Sequence, residues 1–392
     1  MKTLKSITGV LLLIPLFVLG QGVTVSTGSG LDVVLGGEVE LEFIDVEGKG
    51  GFTHQDLTYQ KVRNRSPHMR IDMAVLSSRV NYSENLYYQI EFRFDDASAY
   101  VDKQYARLNV PSWNTQFELG KNRPFVATKR GSEGYPLVGT AFWKGREAHL
   151  TADTELPLGE NGKLITGLSL GMKRPFGTDD AAEDKSFKML TYDDYEPKRG
   201  QTFEYGVKAG VELAGLKALG WFYTGTLIDD WDWKISLKQS LAPYDDVKGS
   251  VSDTTHYWFG GRLDYDIAGL HLRGEYVEGK DGLLSRYGYY GEGSYTIAAP
   301  SFLHSKSLSF LGRHGVLRLR PAENEDGLIA SWAYLSEAMS WNRQMTTLSL
   351  MLKINENLAL KAEYYILDEE TGSDSEPSVK DDQALLQINF QF

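Results

Sequence analysis

Apolar and polar residues alternate with a period of two through most of the chain. Val39, Leu41 and Phe43 interleave with Glu38, Glu40 and Glu42, and Met69, Ile71, Met73 and Val75 with Arg70, Asp72 and Ala74. Tyr88, Ile90, Phe92 and Phe94 interleave with Gln89, Glu91 and Arg93, and Leu386, Ile388, Phe390 and Phe392 with Gln387, Asn389 and Gln391. This period places one apolar face and one polar face on an extended strand. About sixteen such runs are legible, near 32–44, 68–81, 86–95, 101–110, 115–120, 146–156, 163–174, 201–214, 216–228, 255–267, 270–279, 286–297, 328–338, 346–354, 358–367 and 384–392. No comparable 3.6-residue pattern appears, so helices are minor.

The connections alternate in length. Short ones fall at 81–85, 111–114, 157–162, 214–216, 268–269 and 355–357, and long ones at 45–67, 121–145, 175–200, 229–254 and 368–383. An even strand count, short turns at one end and long loops at the other predict a 16-stranded antiparallel transmembrane β-barrel, a porin with external loops and periplasmic turns. Residues 298–327 break this rule, being long where a turn belongs. The closing strand, 384–392, has to pair with the strand near 32–44.

Charge supports a water-filled interior. Arg, Lys, Asp and Glu recur on the polar faces, where a dry core would desolvate them at great cost. Open sheets with a solvated polar face are the soluble alternative, as in a secreted glycan-binding β protein.

Composition narrows the class further. The chain has 392 residues, a net charge of −12 and no cysteine, which excludes disulfides and thiolate chemistry. Lys2 and Lys5 precede the apolar run Val10–Leu19, and Gly20, Gln21 and Gly22 follow it. This reads as a signal peptide over 1–20, leaving 21–392 as the barrel domain. Motifs for serine hydrolases, zinc proteases and phosphate-binding loops are missing, so no enzyme, metal or cofactor is expected.

Three stretches then carry a resemblance: YARLNVPSWNTQFELGKNRPF (105–125), GYYGEGSYTIA (288–298), and TLSLMLKINENLALKAEYYILDEE (347–370) with the ending QALLQINFQF. The chain resembles the bacterial outer-membrane phosphate-selective porin O/P family. That resemblance implies a homotrimer of sixteen-stranded barrels conducting small anions, phosphate among them. It also implies that two external loops and one long periplasmic turn fold into the lumen, which would account for 298–327.

Candidate selectivity residues follow. Residues 121–146 hold Lys121, Arg123, Lys129, Arg130, Lys144 and Arg146 against Glu133 alone. Gly131, Gly134, Pro136 and Gly139 let this third loop bend inward, and a ring of bases at a constriction favours anions. The alternative is a surface loop touching lipopolysaccharide, in which case the chain would be a weakly selective general diffusion porin. Lys306, Arg313, Arg318 and Arg320 in 298–327 would form a second ring from below. Arg70, Arg93, Arg107, Arg262 and Arg273 would line the lumen wall between the rings, at least half of them paired with neighbouring acids. The acidic stretches 175–200 and 368–382 face outward in this reading, toward lipopolysaccharide and its bridging cations. Tyr88, Trp143, Trp221, Tyr257 and Tyr365 suit aromatic girdles. Phe392 resembles the signal read by the outer-membrane barrel-assembly machinery. Expected partners are outer-membrane lipid, lipopolysaccharide, that machinery and small anionic solutes, with no nucleic acid.

Overall fold

The computed structural model describes residues 22–26, 31–46, 51–53, 58–60, 67–94, 99–174, 176–180, 188–192, 194, 202–226, 255–281, 284–298, 305–320, 342–370, 378–379 and 382–392. The proposed signal peptide, 1–20, lies outside them. So do most of the acidic stretches 175–200 and 368–382.

Sixteen long strands form one closed antiparallel barrel. In chain order they are β1 (Asp32–Val46), β2 (His68–Asn81), β3 (Leu86–Phe94), β4 (Ala99–Val110), β5 (Thr115–Asn122), β6 (Glu147–Pro157), β7 (Gly162–Met172) and β8 (Phe203–Leu213). The second half comprises β9 (Leu216–Thr226), β10 (Thr255–Ile267), β11 (Leu270–Asp281), β12 (Leu284–Ala298), β13 (Ser307–Arg320), β14 (Asn342–Lys353), β15 (Leu358–Glu370) and β16 (Gln383–Gln391). Each strand pairs with its sequence neighbours, and β16 pairs with β1 in the register Leu41↔Ile388 and Glu42↔Gln387. Every strand edge of the ring is thereby satisfied, which a sheet in hydrocarbon requires. A short strand, Val23–Ser26, continues the line of β16 along the free part of β1.

The outer face is apolar. Leu168, Leu263, Leu348, Leu386 and Ile388 point outward and are exposed. Alternating positions such as Gln387, Asn389, Glu40 and Glu42 point inward and are buried. An exposed apolar band this continuous marks a lipid-facing surface. No helix among the described residues is long and apolar enough to cross a membrane.

The tightest turns follow backbone chemistry. Ala214–Gly215 and Ala268–Gly269 each hold both residues at positive φ, 49° and 83°, and 47° and 84°. These are two-residue turns of the type whose twist matches a hairpin.

Two sequence expectations are corrected, the 298–327 turn and the outward face of Met73. Residues 307–320 form β13, so 298–327 is not a long turn folded into the lumen; the connection from β12 shrinks to 299–306. The expected strand at 328–338 falls within 321–341, the connection from β13 to β14, outside the described residues. The outward positions of β13 include Gly312 and His314, while Leu311 and Leu317 point inward and are buried. Its apolar alternation is therefore scrambled. Met73 is also displaced from the lipid face. The pairing of β1 with β2 shifts between Glu40 and Leu41, so Asp72 bulges and Met73 turns inward at 8 % exposure.

Candidate channel constriction

The third connection on the long-loop side, residues 123–146 between β5 and β6, folds into the barrel, as the sequence led us to expect. It has an apolar side and a basic side. Leu137, Val138, Ala141, Phe142 and Trp143 are completely buried and pack on Tyr223, Trp258, Val277 and Tyr365 of the inner wall. Trp258 stacks on Tyr223 with centroids 4.2 Å apart, and Phe142 stacks on Trp258 at 6.2 Å. Each large apolar side chain buried this way contributes roughly 1.5–3 kcal/mol before entropy. Gly139, at the start of a single π turn, is needed because a Cβ there would lie 2.6 Å from the Trp143 ring.

The loop backbone is held by side chains of the wall. Arg313 donates to Gly134 O at 2.6 Å, Arg262 to Val126 O at 2.7 Å and Lys208 to Phe125 O at 3.1 Å. Gly134 N–H donates to the Tyr365 hydroxyl at 2.8 Å, and Glu133 N–H to Glu363 at 2.9 Å. Trp143 donates to Glu275 at 2.7 Å, and Arg174 reaches Phe142 O at 2.8 Å. Charge-assisted bonds of this kind are stronger than neutral ones.

Behind the loop runs a belt of alternating acids and bases. Glu118 and Glu147 flank His149 at 2.9 Å each. Glu204 and Asp281 flank His256 at 2.9 and 2.6 Å. Arg174 lies between these clusters, 3.9 Å from Glu147 and 3.8 Å from Glu204. The belt is buried along the inner wall between β5 and β11. Sequence reasoning missed it because its members are scattered over five strands and the segment just after β7. The inward Trp221, Tyr223 and Trp258 did carry a signal: apolar residues on both faces of β9 mean that something covers the inner one.

The other side of the loop borders open space. A cavity of about 540 Å³ lies between the loop and β1–β4. Seven bases line it against five acids, Glu38, Asp72, Glu91, Asp102 and Glu133. A second space of about 840 Å³ lies toward the turn end, lined by Lys163, Lys208 and Lys217 with Asp153, Glu155 and Glu160.

The expected site residues divide into several groups. Arg123, Lys129 and Arg130 line the cavity of about 540 Å³. Arg130 is neutralised by Glu40 and by Glu133. Burial would lower its pKa, yet these two carboxylates push it well above the ordinary value. Arg123 has no carboxylate partner among the described residues; it donates to Lys144 O at 3.1 Å and lies 5.0 Å over the Tyr135 ring. Burial and the nearby Arg146 and Arg130 lower its pKa, partly offset by Tyr135 and Asp102. Lys121 pairs with Asp194 at 3.1 Å above the slot, and Arg146 with Asp102 at 2.5 Å.

The described residues do not bring the expected second ring together. Lys306 pairs with Glu356 in the turn region, half exposed. Arg313 is buried on β13 against Glu292 and the loop. Arg318 is half-buried further along the same strand, and the side chain of Arg320 lies outside the described residues. Residues 307–320 are a wall strand, so their bases are spread along the barrel wall and not gathered in a lumenal turn. Lumen-facing Arg70, Arg93, Arg107, Arg262 and Arg273 all pair with acids. The contacts are Arg70–Glu42 at 3.2 Å, Arg93–Asp72 at 3.9 Å, Arg107–Glu118, Arg262–Glu275 at 3.6 Å and Arg273–Asp264 at 2.5 Å. They form no free cationic ladder. Trp143, Trp221 and Tyr365, expected in girdles, are inside the barrel.

One trio of carboxylates, Glu40, Asp72 and Glu133, brings oxygens within 4.8 Å of one another, the spacing of a cation site. Arg130, Arg70 and Lys361 already lie against these groups.

No family model and no curated protein matches the chain. Solved outer-membrane structures do share its fold. The outer membrane channel DcaP of Acinetobacter baumannii matches with a TM-score of 0.59 at 13 % identity, over 94 % of this chain and 99 % of that one. An anion-selective porin from Comamonas acidovorans matches at 0.57 and 10 % identity, over 92 % and 100 %. The trimer form of OmpT from Vibrio cholerae matches at 0.54 and 11 % identity, over 92 % and 99 %. At these identities the likeness is one of fold.

Proposed function

We propose that this protein is an outer-membrane porin that passes small anions by passive diffusion. The observation that carries the reading is the inward-folded third loop, which leaves a charged slot of about 540 Å³ with bases in excess. Net positive charge at a constriction lowers the barrier for anions and raises it for cations. The chain's overall −12 does not oppose this, because the slot's own lining holds seven bases against five acids, while the stretches 175–200 and 368–382 carry seven acids each.

Phosphate enters this slot without a dedicated binding site. Five acids share the lining, and the wall arginines are committed to carboxylates. A dianion therefore meets repulsion alongside attraction. The channel acts in our reading as a homotrimer, exported by the segment 1–20, inserted by the barrel-assembly machinery and surrounded by lipid and lipopolysaccharide. The trimeric form of the OmpT neighbour and the apolar outer band support this.

Planar-bilayer recording under a KCl gradient tests it. The reversal potential should report anion preference, and millimolar phosphate should leave the chloride current unblocked. A cation-selective reversal potential overturns the selectivity, and absence of conductance overturns the channel.

A further inference from the structure

The charges lining the slot are not equally available. Among the five acids, Asp72 faces Arg70 and Arg93, Glu91 faces Lys103, Asp102 faces Arg146, and Glu133 faces Arg130 and Lys361. Glu38 alone has only neutral partners: the side-chain amides of Asn389 and Gln391 donate to it. No cation comes within ion-pair distance of it among the described residues. It stands on β1, part of the wall opposite the loop.

The loop presents the reverse situation. Arg123 bonds only to a backbone carbonyl and rests on Tyr135. Lys129 is exposed and makes no ion pair or hydrogen bond among the described residues. Both line the same cavity as Glu38. A compact space of that volume is about 8 Å across, within one Debye length at physiological salt. A small solute in it feels both walls.

We propose that the slot selects small zwitterions, solutes carrying a carboxylate and an ammonium a few ångströms apart, as amino acids do. The carboxylate is drawn to Arg123 and Lys129 on the loop, and the ammonium to Glu38 on the wall. Each end meets a charge that the protein itself leaves unneutralised. A simple anion gains the first contact only, and a cation meets net repulsion. The proposal rests on the channel reading above and refines which solute the channel favours.

Swelling of liposomes containing the full-length protein tests it, with four probes of similar size: serine, glycerate, glycerol and 3-amino-1,2-propanediol. KCl conductance of the same preparation is measured first. Serine should enter faster than glycerol, and aminopropanediol slowest. Glu38→Gln should slow serine about fivefold relative to glycerate, the effect of losing one solvated charge contact. Replacing Arg123 and Lys129 together with Gln should slow serine and glycerate alike. The wild-type solute series stands even if a variant misassembles. Normal KCl conductance with serine no faster than glycerol overturns the zwitterion proposal while leaving the channel intact. Absent conductance overturns the channel reading and this proposal with it.

Discussion

Gly37 and Phe392 exchange both backbone hydrogen bonds, Gly37 N–H to Phe392 O at 2.8 Å and Phe392 N–H to Gly37 O at 2.9 Å. The Phe392 ring also covers the space a side chain at 37 would need: a Cβ there would lie 2.4 Å from the ring and 2.6 Å from Val75 O. This is where β16 ends against β1 and where the strand Val23–Ser26 takes over the same edge of β1. The last residue is therefore part of the barrel seam, and its glycine partner is there because only glycine leaves room.

Gly37→Val should prevent the seam from closing. The folded fraction, read as heat-modifiable mobility on gels, should fall severely, whereas Gly291→Ala, with open space around its Cβ position, should fold normally. Deleting Phe392 should lower the assembled fraction less, since two backbone hydrogen bonds at about 0.5–1.5 kcal/mol each and one ring contact are lost. Normal assembly of Gly37→Val would mean that the ring's position does not matter for closure.

The loop lock should be separable from barrel stability. Arg313→Ala leaves Gly134 O without its charged donor, and Trp143→Ala removes a fully buried ring and its bond to Glu275. Truncating a buried Trp costs about 3–5 kcal/mol, here out of loop docking. Single-channel traces of both variants should show higher and noisier conductance. The melting temperature of the barrel should stay close to wild type, because sixteen strand pairings, not the loop, hold it. Quiet traces of wild-type amplitude would place the constriction elsewhere.

Most of the barrel was legible because lipid on one side and water on the other impose a strict period of two. The legibility failed where a second requirement was superimposed. On β13, Leu311 and Leu317 serve the loop and Arg313 holds it, so the inner face lost its polar pattern. On β2 the bulge at Asp72 reversed the faces of Met73 and Val75, a backbone event with no residue signature. The basic third loop was visible as a charge cluster, and its inward fold was anticipated. Which of its bases remain available was not, because that depends on partners such as Glu40 and Asp102, distant in sequence.

Selectivity should follow those partnerships and not the charge count. Lys129→Glu and Arg123→Glu together remove two bases that have no carboxylate partner among the described residues, and should move the reversal potential toward cation preference. Arg130→Gln should act differently. It uncovers Glu40 and Glu133, which it now neutralises, so the loop should loosen and noise should rise. If Arg130→Gln shifted reversal potential more than the double variant without added noise, its ion pairs would not be what holds the loop.

Acid should release the loop through Glu133. Burial alone would raise the pKa of this carboxyl, but Arg130, Lys361 and the Gln387 amide outweigh burial and hold it below its ordinary 4.5. A carboxylate whose folded pKa lies below the unfolded one stabilises the folded arrangement above the unfolded value, and that stability is lost as pH falls through the folded value. Docking should therefore be constant at neutral pH and weaken progressively below about pH 4.5. Asp194, lowered by Arg146 and Lys121 despite its burial, adds to the same trend at the loop's far end. Current noise recorded from pH 7 down to pH 3 should rise in wild type. In Glu133→Gln the rise should be reduced, because the amide cannot titrate and the loop is already partly loosened at neutral pH. An unchanged acid response in that variant would assign the transition to other carboxylates, with Asp194 the next to test.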